Sequence, residues 1–345
     1  MDAESPGDEF NEQTFQELLK TSTLPDDLKS SVSGRFNSEV EAQELWESAY
    51  VWLKVFGTHL NLEELDGVTA ADDYSAALAG VDRGFHVSGA PQPTQDEFGA
   101  GFAMTLPVIR DGAMKSHIVL HAGFFRMLVD TDAEFHKEAV HTLCHEAAHA
   151  HDHLMQSRAF PGLYGTQIPD YRDGVLFNLA IGCWGEYIAS RLSASWATPD
   201  YCEKYETAIC SMLRSARVRG NSVLDNFSSP GEIERTVNEL VGVYGVLLTR
   251  SSYLVGQIHG ENRTIEDAAP ILDALVRHTH WFSPLFNEYV SCLSELYAEY
   301  GHWSGTEVFD PLKKLFERVL NAGGMYFRLL PDGTYYVGLN KPSDS

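Results

Sequence analysis

His145-Glu146-Ala147-Ala148-His149 is the stretch that decides how this chain is read. On a helix, residues four apart share one face. The two imidazoles then stand side by side, with a carboxylate at the next position along. A divalent ion such as Zn2+ takes nitrogen, sulfur or oxygen donors in a tetrahedron and keeps one position open where it does chemistry. A carboxylate beside that position can take a proton from water. His145 and His149 are therefore the candidate metal ligands, and Glu146 is the candidate catalytic base.

The flanking sequence supports a helix. Thr131-Asp132-Ala133-Glu134 has the form of a capping box, which predicts a helix starting there and carrying the motif in its third and fourth turns. Ala147 and Ala148 are strong helix formers without bulk. No proline interrupts residues 108–160. Cys144 sits one residue off the face of the first histidine and reads as packing.

These residues resemble the zincin metallopeptidases. Thr142, Leu143, Ala147, Ala148 and Ala150 fit the family's extended motif, whereas His151 stands where a hydrophobic residue is usual. Two histidines call for a third protein ligand. The metzincin branch asks for glycine and histidine where this chain has Asp152 and Met155, so that branch is rejected. The gluzincin branch takes a glutamate from a later helix. Glu186 fits that role, in a helical run where Gly182, Cys183, Ala189 and Ser190 surround it with small side chains. Asp152 and His153 are the alternatives. On an unbroken helix His153 lies about 12 Å along the axis from His145, so Asp152 reads better as a partner for a ligand's other ring N–H. His141 and His153 extend the histidine stripe at four-residue spacing.

The resemblance implies a small mixed sheet whose edge strand pairs with an extended substrate. It also implies a Tyr or His donor for the oxyanion of peptide hydrolysis. Tyr187 and His259 are the residues named for that donor, while Tyr244, Tyr253, His278 and His280 qualify by type. The function expected is that of a zinc-dependent metallopeptidase acting on a peptide or protein substrate. The alternative is a zincin-fold binding or regulatory protein whose metal site is degenerate or non-catalytic.

Composition narrows the class. With 345 residues, 44% of them hydrophobic, the chain can bury a large core. Its formal net charge of -24 repels nucleic acid and anionic membranes. No apolar run approaches the roughly 20 residues needed to span a bilayer. The five cysteines are scattered and odd in number, which suggests reduced thiols and a cytoplasmic location.

The expected architecture is α+β: residues 1–34 a loose acidic arm, 35–160 a zincin-like lobe with the motif helix, and 161–345 a mainly helical lobe. Two strand-like runs, Phe102 to Ile109 and Lys115 to His121, flank Asp111-Gly112, a hairpin signal. Met325 to Arg328 and Tyr335 to Val337 flank Pro331-Asp332-Gly333 and read as a closing hairpin.

Overall fold

The structure, a computed structural model, describes residues 12–86, 91–93, 95–96, 99–166, 168 and 170–342. It is α+β, and the chain divides into two compact units. Among the described residues, the first runs through Gln95 and resumes over Gly99–Leu154; the second holds Asp96 and the residues from Met155 onward. Residues 1–11 of the expected N-terminal arm lie outside the described residues.

The first unit contains α1 (Glu12–Leu19), β1 (Lys29–Ser33), α2 (Glu39–Phe56), β2 (Leu65–Ala71), α3 (Tyr74–Gly80), the first residue of the short strand β3 (Gln95–Asp96), the short strand β4 (Gly99–Ala100), β5 (Ala103–Arg110), β6 (Ala113–His121) and α4 (Ala122–Phe125). Most of α5 (His136–Ala159) also belongs to it. Its four-stranded sheet has the order β1-β2-β6-β5. β1, β2 and β6 are parallel, and β5 runs antiparallel to β6 along one edge. Lys29–Ser33, inside the span expected as a loose arm, is thus a sheet strand paired with Gly67–Ala71. Its own side chains are mostly exposed, so the sequence carries no alternating apolar pattern to announce it.

Helices on both faces explain the unbroken apolar run in β6. Val68, Ala70 and Leu120 line one face with Leu45 and Ala49 of α2. Leu106 and Val119 pack with Tyr74 and Leu78 of α3. A strand buried on both sides loses its polar alternation, and Ile118, Val119 and Leu120 are all buried. The β5–β6 hairpin turns through Asp111 (φ 51°) and Gly112 (φ 79°), both left-handed as a tight two-residue turn requires.

α5 begins at His136, later than the capping box predicts. Asp130 Oδ1 accepts from the Asp132 amide at 3.0 Å, and successive turns then bond Ala133 N to Asp130 O and His136 N to Ala133 O. The aspartate before the box captures the local amide in a turn of its own. The helix then runs unbroken through the motif to Ala159.

The second unit is helical: α6 (Tyr171–Ser193), α7 (Tyr201–Asp225), α8 (Ile233–Gly260), α9 (Ile265–Ala268), α10 (Pro270–His278), α11 (Ser283–Ala298) and α12 (Asp310–Ala322). It closes with the antiparallel hairpin of β7 (Met325–Leu329) and β8 (Tyr335–Leu339). Its core runs from Leu176 and Trp184 on α6 through Leu213, Leu247 and Phe286 to Phe316 on α12. Ahead of α8, Pro230–Glu232 is a 3-10 turn, and Glu232 accepts from the Ser228 amide and hydroxyl. All five cysteines are free and buried. Among the described residues no helix is long and apolar enough to cross a membrane.

Candidate metal centre

α5 presents the motif as its spacing requires. His145 Nε2 and His149 Nε2 lie 3.1 Å apart, with ring planes at 82°. Two nitrogens bound at 2.0–2.1 Å to one tetrahedral ion are separated by about 3.3 Å, so this pair has the spacing of two ligands to one ion. His145 is buried and His149 half-buried.

Glu146 is buried, 6% exposed, in the first unit. Thr105 of the edge strand holds it: its hydroxyl lies 2.7 Å from Glu146 Oε2 and 2.9 Å from the Glu146 carbonyl oxygen. One hydroxyl proton serves both acceptors, and the shorter contact goes to the charged group. Thr105 was missed in the sequence. The available signal was a hydroxyl residue between Met104 and Leu106, at the position of β5 that faces α5 instead of α3.

The neighbouring histidines on α5 have other employment. His153 Nδ1 lies 3.0 Å from Ser116 Oγ of β6. Burial, with the neighbouring His149 and Arg83 charges, lowers its pKa to about 3. His141 is lowered to about 3 in the same way, by burial and then by His145. Both therefore stay neutral at ordinary pH. His151, the departure from the family pattern, accepts from the Asn61 amide at 2.9 Å and so ties α5 to the loop before β2. Asp152 is 1% exposed.

Glu186 lies on α6, half-buried. The small residues around it allow close approach of α8, where Gly256 meets the Tyr187 carbonyl and the Ser190 side chain. Tyr253 of α8 donates a hydrogen bond to Glu186. Tyr205 stacks on Tyr253 at 5.1 Å, and Tyr201 stacks on Tyr205 at 4.6 Å. Burial, followed by the Glu186 charge, pushes the Tyr253 hydroxyl well up, so it remains a protonated donor. His145 and His149 thus stand in the first unit and Glu186, held by its tyrosine, in the second.

Tyr187 and His259 bond to each other: the Tyr187 hydroxyl lies 3.0 Å from His259 Nδ1 and accepts from Arg191 Nη1 at 2.8 Å. Burial, followed by the Arg191 charge, lowers His259 to about 4. Both contacts of the Tyr187 hydroxyl are thus made within the second unit. Of the other types considered, Tyr244 packs its hydroxyl against Gly220, and His278 bonds the Ala274 carbonyl.

Comparison of the chain with protein-family profiles, with curated proteins and with solved structures finds no match.

Proposed function

We propose that the protein is a zinc-dependent metallopeptidase, with His145, His149 and Glu186 as ligands and Glu146 as general base. The observation that carries the reading is the pairing of two functions on one helical turn. The imidazole nitrogens have the spacing of a shared ion, and the next carboxylate is fixed by a strand hydroxyl. A site that only held metal for structure would have no use for a buried, oriented glutamate beside its ligands. Two neutral nitrogens and one carboxylate suit zinc and make a three-ligand set with a position left open.

A zinc ion bound there would polarise a carbonyl and render water nucleophilic near neutral pH. The protein's own part is proton traffic and placement. Glu146 takes the proton of the attacking water and passes it to the leaving amine. Thr105 occupies Glu146 Oε2 and so fixes which way the carboxylate points. β5 is an edge strand and antiparallel to its neighbour, and an extended peptide added to it runs past Glu146.

Glu146→Gln tests the reading. The variant keeps shape and zinc while losing the base, so hydrolysis of an extended-peptide library drops by about 10²–10⁴-fold. A wild-type protein holding one zinc per chain and inert on every extended peptide and amide, with Glu146→Gln indistinguishable from it, overturns the enzyme reading in favour of a binding protein.

A further inference from the structure

In the β5–β6 hairpin, Arg110 and Ala113 flank a two-residue turn, so they form a hydrogen-bonded pair and every second pair beyond them does likewise. The His121 amide bonding to the Phe102 carbonyl continues that alternation. The backbone groups of Ala103, Thr105, Pro107 and Ile109 therefore face outward, away from β6. They divide into two sets.

At Pro107 and Ile109 the outward groups are all closed. Pro107 has no N–H, and its carbonyl accepts from Arg83 Nε at 2.5 Å. The Ile109 amide donates to the Arg83 carbonyl at 2.8 Å. The Ile109 carbonyl accepts from Arg110 Nη1 at 3.1 Å. The segment that does this is held in place twice: Arg110 Nη2 donates to the Asp82 carbonyl at 2.8 Å, and Asp82 Oδ1 accepts from the Gly84 amide at 2.9 Å. Gly84 has φ 69°, and a methyl there would overlap the Ile109 carbonyl, so only glycine lets the segment lie this close. At Ala103 and Thr105, by contrast, the outward amide and carbonyl groups meet no hydrogen-bonding partner among the described residues.

We infer that Asp82–Gly84 and Pro107 form a stop on the open edge of β5, limiting strand pairing to Ala103–Thr105, so that the peptide substrate is recognised through its backbone over about three residues. The inference rests on the reading of the site as one for extended peptides and adds a length rule to it. Residues of the substrate beyond the stop lose backbone pairing, so lengthening a peptide past it adds no backbone affinity.

The test is a binding ladder. End-blocked peptides of Thr, Val and Lys, from dipeptide to octapeptide, are titrated into zinc-loaded Glu146→Gln protein, and the dissociation constant is read by calorimetry. Affinity should tighten by about threefold per added residue up to the tripeptide, from hydrogen bonds of ordinary net strength. It should change by less than about twofold thereafter. In Arg83→Ala/Pro107→Ala/Glu146→Gln, which restores an N–H and frees a carbonyl, the climb continues for two more residues. Pro107→Ala/Glu146→Gln serves if the triple variant does not fold by circular dichroism. Affinity rising steadily to the octapeptide without the stop being altered overturns the inference. So does a plateau that stays put in folded variants, or an absence of peptide binding. Because binding needs no turnover, a protein that shows the plateau and hydrolyses nothing refutes the peptidase reading and leaves the stop standing.

Discussion

Replacing Thr105 by Val keeps the shape of the side chain and removes one hydroxyl. That hydroxyl contacts Glu146 twice, at 2.7 Å to the carboxylate and 2.9 Å to the carbonyl. With a single proton, it makes one full hydrogen bond, to the charged acceptor. Hydrogen bonds to charged groups contribute about 1.5–3 kcal/mol, and a buried acceptor left without its donor costs about that amount. Thr105→Val should therefore lower the unfolding free energy of the metal-free protein by about 2 kcal/mol, read as a shift of the urea midpoint at constant slope. The freed carboxylate also loses its fixed direction, and peptide hydrolysis should fall by about tenfold to a hundredfold, with zinc content unchanged. Thr105→Ser retains the donor and gives up one methyl, about 0.8 kcal/mol of burial, so it should recover most of the activity. In the Glu146→Gln background the same Thr105→Val change meets a neutral acceptor and should cost about 1 kcal/mol less. Wild-type rate and midpoint in Thr105→Val would refute the proposed tether. Serine as damaging as valine would refute it equally.

Three further outcomes follow from the site. His149→Ala should release zinc, measured by metal analysis after dialysis, while the far-ultraviolet spectrum stays that of the wild type; full metal retention in His145→Ala/His149→Ala would exclude this centre. Tyr253→Phe removes the donor to Glu186 and should weaken zinc binding by about 10–100-fold in a chelator competition, with apo-protein stability nearly unchanged; equal affinity for the two proteins would show that Tyr253 only packs. His259 has its pKa depressed to about 4 in the folded protein, so the unfolded chain takes up the proton first. Its contribution to stability is complete above the ordinary histidine pKa of about 6.5 and is lost as pH falls from there to about 4. His259→Asn should flatten that limb of the pH–stability curve, and an unchanged slope would show that the acid sensitivity lies elsewhere.

The sequence made the candidate metal-binding turn legible because helical periodicity fixes which residues share a face whatever surrounds them. His145 and His149 needed only an unbroken helix, which they have. The β5–β6 hairpin was legible for a related reason, since Asp111-Gly112 suits a turn with two left-handed residues. The start of α5 was misjudged because two polar motifs competed for the same amides, and the Asp130 turn took them. β1 was missed because a parallel edge strand with exposed side chains is specified by its neighbour β2 and not by its own pattern. Thr105 and His151 lay beyond local reading altogether. Each bonds a residue far along the chain, Glu146 in one case and Asn61 in the other, and no local spacing records such a meeting. Glu186 was named for its small neighbours, and the tyrosine that bonds it comes from another helix.

The stop on β5 bears on solution behaviour as well as on recognition. A long, flat, unpaired edge is a template on which a second copy of the chain can add its own strand, and repetition of that step builds insoluble fibres. On this edge a proline, an arginine side chain and one turn of loop leave Ala103–Thr105 as the stretch of β5 without a backbone partner among the described residues, too short to nucleate a ladder between copies. The same few atoms that would set how much of a guest this edge can hold also blunt it against a second copy of the chain.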